Sequence, residues 1–297
     1  MPSEYNTMVL QKKGCEGKIM AEIKHQLIKD LIVEYSECSQ PAKGTIIFVH
    51  GAGGGSWCWH DFMGFFSANG YNCYAINLRG HKPNPDLDNL GVLSIRDYVT
   101  DVELVISAID KEVILFGHSM GGLISQEIAF SGKFNISSLI ITGSAPPAGI
   151  KMEAPKQAGI GYKIKAFAVG LGMLYKIIRK DPLRPVLRAT RHYVANCIPE
   201  DKQEELHNKL VPESSKVSIE VLKGEIKADL SKVDIPKLAL AGKEDMMSLI
   251  SMQRKIAEFH NMELKEYDNH AHMLMLEPGW NKVAKDVYLW LQEKVKP

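Results

Sequence analysis

The chain has 297 residues with 36 basic and 35 acidic side chains, so its net charge of +1 gives no reason to expect a nucleic-acid partner. Five cysteines without a C-x-x-C pair indicate reduced thiols. The longest apolar stretch, residues 166–175, is far shorter than the roughly 20 residues that span a bilayer. We therefore predict a cytoplasmic, soluble protein with no transmembrane segment, long enough for one large α/β domain or two small ones.

The first predicted elements are strands. Apolar and polar residues alternate over residues 18–24 and 27–35, which predicts an antiparallel pair at one edge of a sheet. Residues 45–49 are continuously apolar, the pattern of a strand buried on both faces. Four glycines follow in residues 51–55, before a helix that starts near Trp57. The loop lacks both phosphate-binding glycine patterns, so we predict that its backbone approaches another kind of ligand.

A further strand and helix come next. Residues 71–77 read as a strand, and Ser94 is placed to cap a helix that runs to about Ile109. Asp97 and Asp101 lie one turn apart near the start of this helix. Carboxylates there favour the positive helix end, and we expect both to stay solvated rather than to bind a metal.

The pattern G-x-S-x-G occupies residues 117–121, with Ser119 at its centre. Residues 112–116 before it are an apolar run of strand-forming residues, and residues 120–131 after it have helical spacing. A strand, a one-residue turn and a helix form the context in which this pattern holds a nucleophilic serine. The alternative is a tight glycine turn with an incidental serine.

After a strand at residues 138–142 the alternation stops. Residues 148–229 show helical patterns broken by prolines, which predicts an inserted helical cap. Ten basic and two acidic residues lie between positions 151 and 191. This charge fits either a solvated face or a cap that meets an anionic substrate or, peripherally, a membrane, with its apolar residues 166–174 against an acyl chain.

The strand and helix pattern then resumes. Its segments are residues 236–241, 249–259, 263–267 and 280–295. Alternating strands and helices predict an α/β fold with a mostly parallel sheet. We divide the chain into a first core part (1–147), the cap (148–229) and a second core part (230–297).

Several chemically useful residues follow predicted strand ends, where doubly wound sheets bind ligands. They are Ala52, Ser119, Asp245 and His272. A serine hydroxyl needs a base within hydrogen-bond reach, and that base needs a carboxylate to orient it. The residues alone leave His270 beside His272 as the base, and Glu244 and Asp268 beside Asp245 as the acid. The position of Asp245 after the penultimate strand favours it.

Four motifs carry a resemblance over nearly the whole chain. They are His50-Gly51-Ala52 with Trp57, Gly117-His118-Ser119-Met120-Gly121-Gly122, Gly242-Lys243-Glu244-Asp245, and His272 followed by Leu276-Glu277-Pro278. The chain resembles the α/β-hydrolase superfamily, in its esterase and lysophospholipase-like part with a helical cap. That resemblance implies a mostly parallel eight-stranded sheet flanked by helices, and its histidine spacing favours His272 over His270.

The resemblance also implies roles for individual residues. Ser119, His272 and Asp245 would form the catalytic triad, and the N–H groups of Ala52 and Met120 would form the oxyanion hole. Substrate contacts would come from three more residues, namely Gly51, His118 and Trp57. No metal and no cofactor is implied.

The leading hypothesis is a serine hydrolase that cleaves a small or lipid-like carboxylic ester through an acyl-enzyme, as a monomer or homodimer. The same triad serves lactonases, thioesterases, C–C bond hydrolases and enzymes like hydroxynitrile lyases, because the fold does not fix the substrate. A hydrolase-like receptor that only binds ligands is the alternative of another class. A serine, Ser119, at the turn of the G-x-S-x-G pattern disfavours hydrolases that use an aspartate nucleophile.

Overall fold

The structure is a computed structural model and describes residues 22–39, 41–109, 111–152 and 178–295. The strands are β1 (Lys24–Ile28), β2 (Leu31–Ser36), β3 (Gly44–Val49), β4 (Tyr71–Ile76), β5 (Val113–His118), β6 (Ile136–Thr142), β7 (Lys237–Gly242) and β8 (Glu263–Tyr267). The longer helices are α1 (His60–Ala68), α2 (Ile95–Ile109), α3 (Met120–Ser131), α4 (Glu200–Lys209), α5 (Ser215–Lys223), α6 (Ile250–His260) and α7 (Trp280–Lys294). Short helical segments occupy Ser56–Trp59, Leu90–Val92, Leu187–Ala189 and Thr190–Val194.

These strands form one eight-stranded sheet in the order β1-β2-β4-β3-β5-β6-β7-β8. The pairs β1–β2 and β2–β4 are antiparallel, and the remaining neighbours in the sheet are parallel. The mostly parallel eight-stranded sheet flanked by helices is therefore confirmed.

Successive residues of β3 point to opposite faces of the sheet and enter two separate apolar cores. Ile47 and Val49 pack with α2, α3 and α6, whereas Ile46 and Phe48 pack with α1 and α7. The apolar run of β3 is buried along its length because helices cover both faces.

The order of the strands places the loops after β3 and β5 beside each other. From β3 the chain first adds β4 on one side and then returns to add β5 on the other. Ligand sites in such sheets lie at the carboxyl ends of the strands where this change of direction occurs. The glycine-rich loop after β3 and the serine turn after β5 both lie at this point.

The structure corrects two expectations from the sequence. The opening antiparallel pair at the sheet edge is confirmed, but it is formed by β1 and β2 with its turn at Lys29 and Asp30, later in the chain than the expected bounds 18–24 and 27–35, of which residues 18–21 lie outside the described residues. Asp101 is not solvated: its carboxylate is buried and accepts hydrogen bonds from the backbone N–H and the guanidinium of Arg79. Asp97 remains partly exposed and accepts from the N–H and hydroxyl of Ser94 at the start of α2.

Between β6 and β7 the described residues 178–229 are helical apart from connecting loops and an isolated bridge that pairs Leu183 with Glu213. Residues 211 to 213 of this insertion contact the glycine-rich loop, since Val211 N–H donates to Gly53 O at 2.9 Å. The apolar run 166–174 and part of the basic stretch lie outside the described residues. In the portion of the chain that is described, none of the helices combines the length and the apolar composition needed to cross a bilayer.

Candidate active site

Ser119 occupies a strained turn between β5 and α3. Its backbone has φ 53° and ψ −118°, a conformation that costs a residue with a side chain on the order of 1–3 kcal/mol. Neighbouring backbone groups hold the turn, because Ser119 N–H donates to Thr142 O and Ser119 O accepts from Ala145 N–H, each at 3.0 Å. The backbone of Ser119 is therefore held at the carboxyl ends of β5 and β6.

The glycine at 121 lets α3 pass directly beneath the end of β3. A Cβ atom at this position would overlap the carbonyl oxygens of Val49 and His50, which are backbone atoms that cannot move aside cheaply. The pattern around Ser119 thus needs glycine here for close approach to the central strand.

We expect Gly121→Ala to destabilise the protein by about 3 kcal/mol or to prevent folding, since overpacking against backbone forces the strand and helix apart. Gly64→Ala is the matched control, because Gly64 lies in α1 and a Cβ there would meet no atom within 4 Å. That control should raise stability by about 0.5–1 kcal/mol. Chemical denaturation measures both changes. Equal stabilities for the two variants would contradict the close approach.

A buried carboxylate and imidazole lie at the ends of β7 and β8. His272 Nδ1 donates to Asp245 Oδ2 at 2.9 Å, and the two side chains are 5% and 1% exposed. Asp245 Oδ1 accepts from the backbone N–H groups of Met247 and Ser248, each at 2.8 Å. With Nδ1 donating, His272 Nε2 is left as the nitrogen that can accept a proton.

The Asp245–His272 pair lies next to the serine turn. A Cβ atom on Gly143 would be 3.3 Å from both Asp245 Oδ2 and His272 Nδ1. Gly143 directly follows Thr142, whose carbonyl accepts the Ser119 N–H. The structure therefore brings together the serine, histidine and aspartate that the sequence selects.

Two buried side chains hold the backbone around His272. Glu277 accepts from the N–H groups of the residues on either side, Ala271 at 2.7 Å and Met273 at 3.0 Å. His118 Nε2 donates to His272 O at 2.9 Å. Sequence patterns assign Glu277 no role beyond its place in a motif. The burial of His118 and its bond to His272 favour a supporting role over the predicted substrate contact, and burial lowers its pKa well below the usual value.

The competing acid and base candidates have other partners. His270 Nδ1 donates to Asp268 O at 2.9 Å, and the His270 ring lies against Gly279. The Asp268 carboxylate pairs with Lys243 at 2.8 Å, and Glu244 is exposed. Among the described side chains, Asp245 is the carboxylate that contacts His272.

The glycine-rich loop passes close to the serine turn. A Cβ atom on Gly51 would be 2.9 Å from Ser119 Cβ and 2.8 Å from His118 Nδ1, so the loop backbone lies against the serine turn, while a substrate contact for Gly51 stays a prediction. Gly51 O accepts from His50 Nδ1 at 2.8 Å and from Gly54 N–H at 3.1 Å. Because the peptide is planar and trans, fixing Gly51 O also fixes the direction of the Ala52 N–H. Burial lowers the pKa of His50 to about 3, so this imidazole is a neutral donor.

Two backbone donors remain available at this point. In the part of the chain that the structure describes, the N–H groups of Ala52 and Met120 have no hydrogen-bond acceptor, and Met120 begins α3. Free amides at a helix start favour developing negative charge.

Trp57 lies where the loop meets the insertion. Its ring is half-buried, and Lys209 Nζ at the end of α4 is 5.7 Å from the ring centroid. A substrate contact for Trp57 stays a prediction.

Comparison with known proteins gives one family. The chain matches the alpha/beta hydrolase family over residues 46–280. Methylesterase 18 of Arabidopsis thaliana is 32% identical over 114 residues, which are 37% of this chain and 43% of the relative. Norfluorocurarine synthase 1 of Strychnos nux-vomica is 39% identical over 79 residues, 26% of this chain and 29% of the relative. These matches cover less than half the length of either relative.

Solved structures agree on the fold. A monoglyceride lipase from Saccharomyces cerevisiae superposes with a TM-score of 0.73 at 19% identity, covering 95% of this chain and 98% of that one. The monoacylglycerol lipase of Paleococcus ferrophilus has a TM-score of 0.69 at 20% identity, covering 88% and 98%. At such identities the similarity shows the fold alone.

Proposed function

The chain belongs to the alpha/beta hydrolase family, and from that premise we propose that it is a serine hydrolase that cleaves a carboxylic ester through an acyl-enzyme intermediate. Ser119 is the nucleophile, His272 the general base and acid, and Asp245 the carboxylate that orients the imidazole. The observation that carries the proposal is the buried Asp245–His272 pair beside the strained serine turn.

Acylation begins when Ser119 Oγ attacks the ester carbonyl carbon and its proton passes to His272 Nε2. The Asp245 carboxylate holds Nδ1–H and stabilises the imidazolium that forms. The tetrahedral intermediate collapses as His272 returns the proton to the leaving alkoxide oxygen, which departs as the alcohol. Water then attacks the acyl-enzyme, with His272 again taking and returning the proton, and releases the carboxylic acid and free Ser119.

The negative charge on the tetrahedral oxygen needs donors that are already in place. In this proposal the free N–H groups of Ala52 and Met120 supply them. The Ala52 N–H lies in the loop after β3, and the Met120 N–H begins α3. Each such donor contributes on the order of 10²–10³ in kcat in comparable sites.

One relative with partial similarity, the methylesterase, is named for ester cleavage and so supports an ester substrate. The acyl and alcohol parts of the substrate are set by residues that line the site, among them the insertion between β6 and β7. Lactone, thioester and C–C bond cleavage by the same residues are therefore outcomes that a substrate panel distinguishes.

The experiment is active-site labelling with a fluorophosphonate combined with turnover of p-nitrophenyl esters of increasing acyl length. We expect one label per chain, located by peptide mass spectrometry at Ser119, and saturable ester turnover. A folded protein that is neither labelled nor active would indicate a ligand-binding receptor. Labelling without ester turnover, but with activity on a lactone or thioester, would keep the acyl-enzyme and change the substrate class.

A further inference from the structure

A buried carboxylate of the insertion contacts the loop that holds Ala52. The Glu213 side chain is 7% exposed and accepts four hydrogen bonds. Its Oε2 accepts from Gly53 N–H at 3.0 Å and from His81 Nε2 at 3.1 Å. Its Oε1 accepts from the Tyr98 hydroxyl at 2.7 Å and from Ser214 N–H at 2.6 Å. Each carboxylate oxygen of Glu213 therefore accepts two hydrogen bonds, and each of the four donors bonds to one particular oxygen.

Glu213 and His81 form a buried pair within this cluster. Burial alone would raise its pKa, but His81 and the other donors hold the pKa of Glu213 below its usual value. Burial would likewise lower the pKa of His81, but Glu213 raises it above the usual value. Breaking one partner of such a buried pair leaves an uncompensated charge, so the geometry depends on both.

The insertion and the loop are joined at Gly53 by two hydrogen bonds. Gly53 N–H donates to Glu213, and Gly53 O accepts from Val211 N–H at 2.9 Å. Gly53 has φ 64°, and a Cβ atom there would lie 2.7 Å from Val211 O. Residues 211–213 therefore contact the loop backbone so closely that no side chain fits between them.

This contact fixes the peptide that follows Ala52. The preceding peptide, between Gly51 and Ala52, is held through its carbonyl by His50 and Gly54. With one peptide held through Gly51 O and the next through Gly53 N–H, the backbone on both sides of Ala52 is fixed beside the serine turn, where a Cβ atom on Gly51 would lie 2.9 Å from Ser119 Cβ. A misplacement of about 1 Å at a donor such as the Ala52 N–H can cost roughly 100-fold in rate.

We propose that Glu213 is a positioning residue that orients the Ala52 N–H, so that the oxyanion hole is complete only while residues 211–213 of the insertion are seated on the loop. The inference rests on the proposed function and extends it by making the seating of the insertion a condition for catalysis. Glu213 touches no reacting atom and acts through Gly53.

The test compares Glu213→Gln with Glu34→Gln. Glutamine keeps the shape of Glu213 but places an amide NH₂ against two of its four donors. Glu34 is a matched control because it is 7% exposed and pairs with a histidine, His60, at the start of α1. Steady-state kinetics with p-nitrophenyl acetate, the rate of fluorophosphonate labelling and thermal melting are measured for both variants.

We expect Glu213→Gln to lower kcat by roughly 10- to 100-fold with KM changed less than about twofold, because the Ala52 donor acts in the transition state. The labelling rate should fall by the same factor. Glu34→Gln should lower the melting temperature and leave kcat within about twofold. An unchanged kcat in Glu213→Gln, or a rise in KM that accounts for the loss, would overturn the proposal.

Two further measurements cover the remaining outcomes. If Glu213→Gln does not fold, Tyr98→Phe removes one of the four donors and should lower kcat by about threefold to tenfold, less than the Glu213 variant, because three donors still hold the carboxylate. An unchanged kcat in that variant would count against the proposal. Hydrogen exchange over residues 51–54 should accelerate in the Glu213 variant and not in Glu34→Gln. This readout needs no turnover, so an inactive wild-type chain would overturn the proposed function while unchanged exchange would overturn the positioning role.

Discussion

His272→Ala is expected to lower kcat by roughly 10⁴-fold or more, the scale of loss found when the histidine of a serine triad is removed. The reason is geometric, because His272 is the ring that donates to the buried Asp245 and so keeps Nε2 available for the Ser119 proton. The measurement is p-nitrophenyl ester turnover at saturating substrate.

His270→Ala is the control, since it removes a second histidine of the same loop that is buried to a similar degree, 6% against 4% exposed. His270 bonds to Asp268 O and packs on Gly279, so its removal should lower the melting temperature and cost less than about tenfold in kcat. Reversed results would assign the base to His270.

Asp245→Asn should also lower kcat severely, because an amide no longer selects the tautomer with Nδ1–H.

The fold was largely predictable because local pattern and burial agree. β3 is continuously apolar since helices cover both of its faces, and the serine turn lies between an apolar strand and a helical repeat. Periodicity shows such features directly. The turn of the first hairpin was placed too early because alternation alone does not show where a turn falls, and the turn at Lys29 depends on a positive φ of 56°.

Side-chain environments were less predictable, because they depend on docking between distant segments. Asp101 shares a helix with the solvated Asp97, yet it is buried because the loop after β4 brings Arg79 over it. His270 and His272 are two residues apart in one loop, and only the path of that loop separates them. For these residues the sequence supplies the chemical groups but not their partners.

Glu213 shows where sequence patterns carry no signal. It lies in a stretch whose helical pattern is broken by prolines, and its partners Gly53, His81 and Tyr98 are 160, 132 and 115 residues away in the chain. A lone glutamate before two serines gives no motif. A contact between the insertion and the loop after β3 could therefore be found only once the fold was known.

Ser119→Ala and Ser119→Gly are both expected to abolish fluorophosphonate labelling and to lower kcat by roughly 10⁶-fold, since neither keeps a nucleophile. They should differ in stability. The φ of 53° and ψ of −118° at Ser119 are costly for alanine but readily adopted by glycine. We therefore expect the glycine variant to be more stable than the alanine variant by about 1–2 kcal/mol in chemical denaturation, in spite of the greater flexibility of its unfolded chain. Residual labelling in either variant would place the nucleophile elsewhere. Equal stabilities with no labelling would keep Ser119 as the nucleophile and show that its turn is unstrained. Labelling and denaturation together therefore separate the chemical role of the serine from the backbone geometry of its turn.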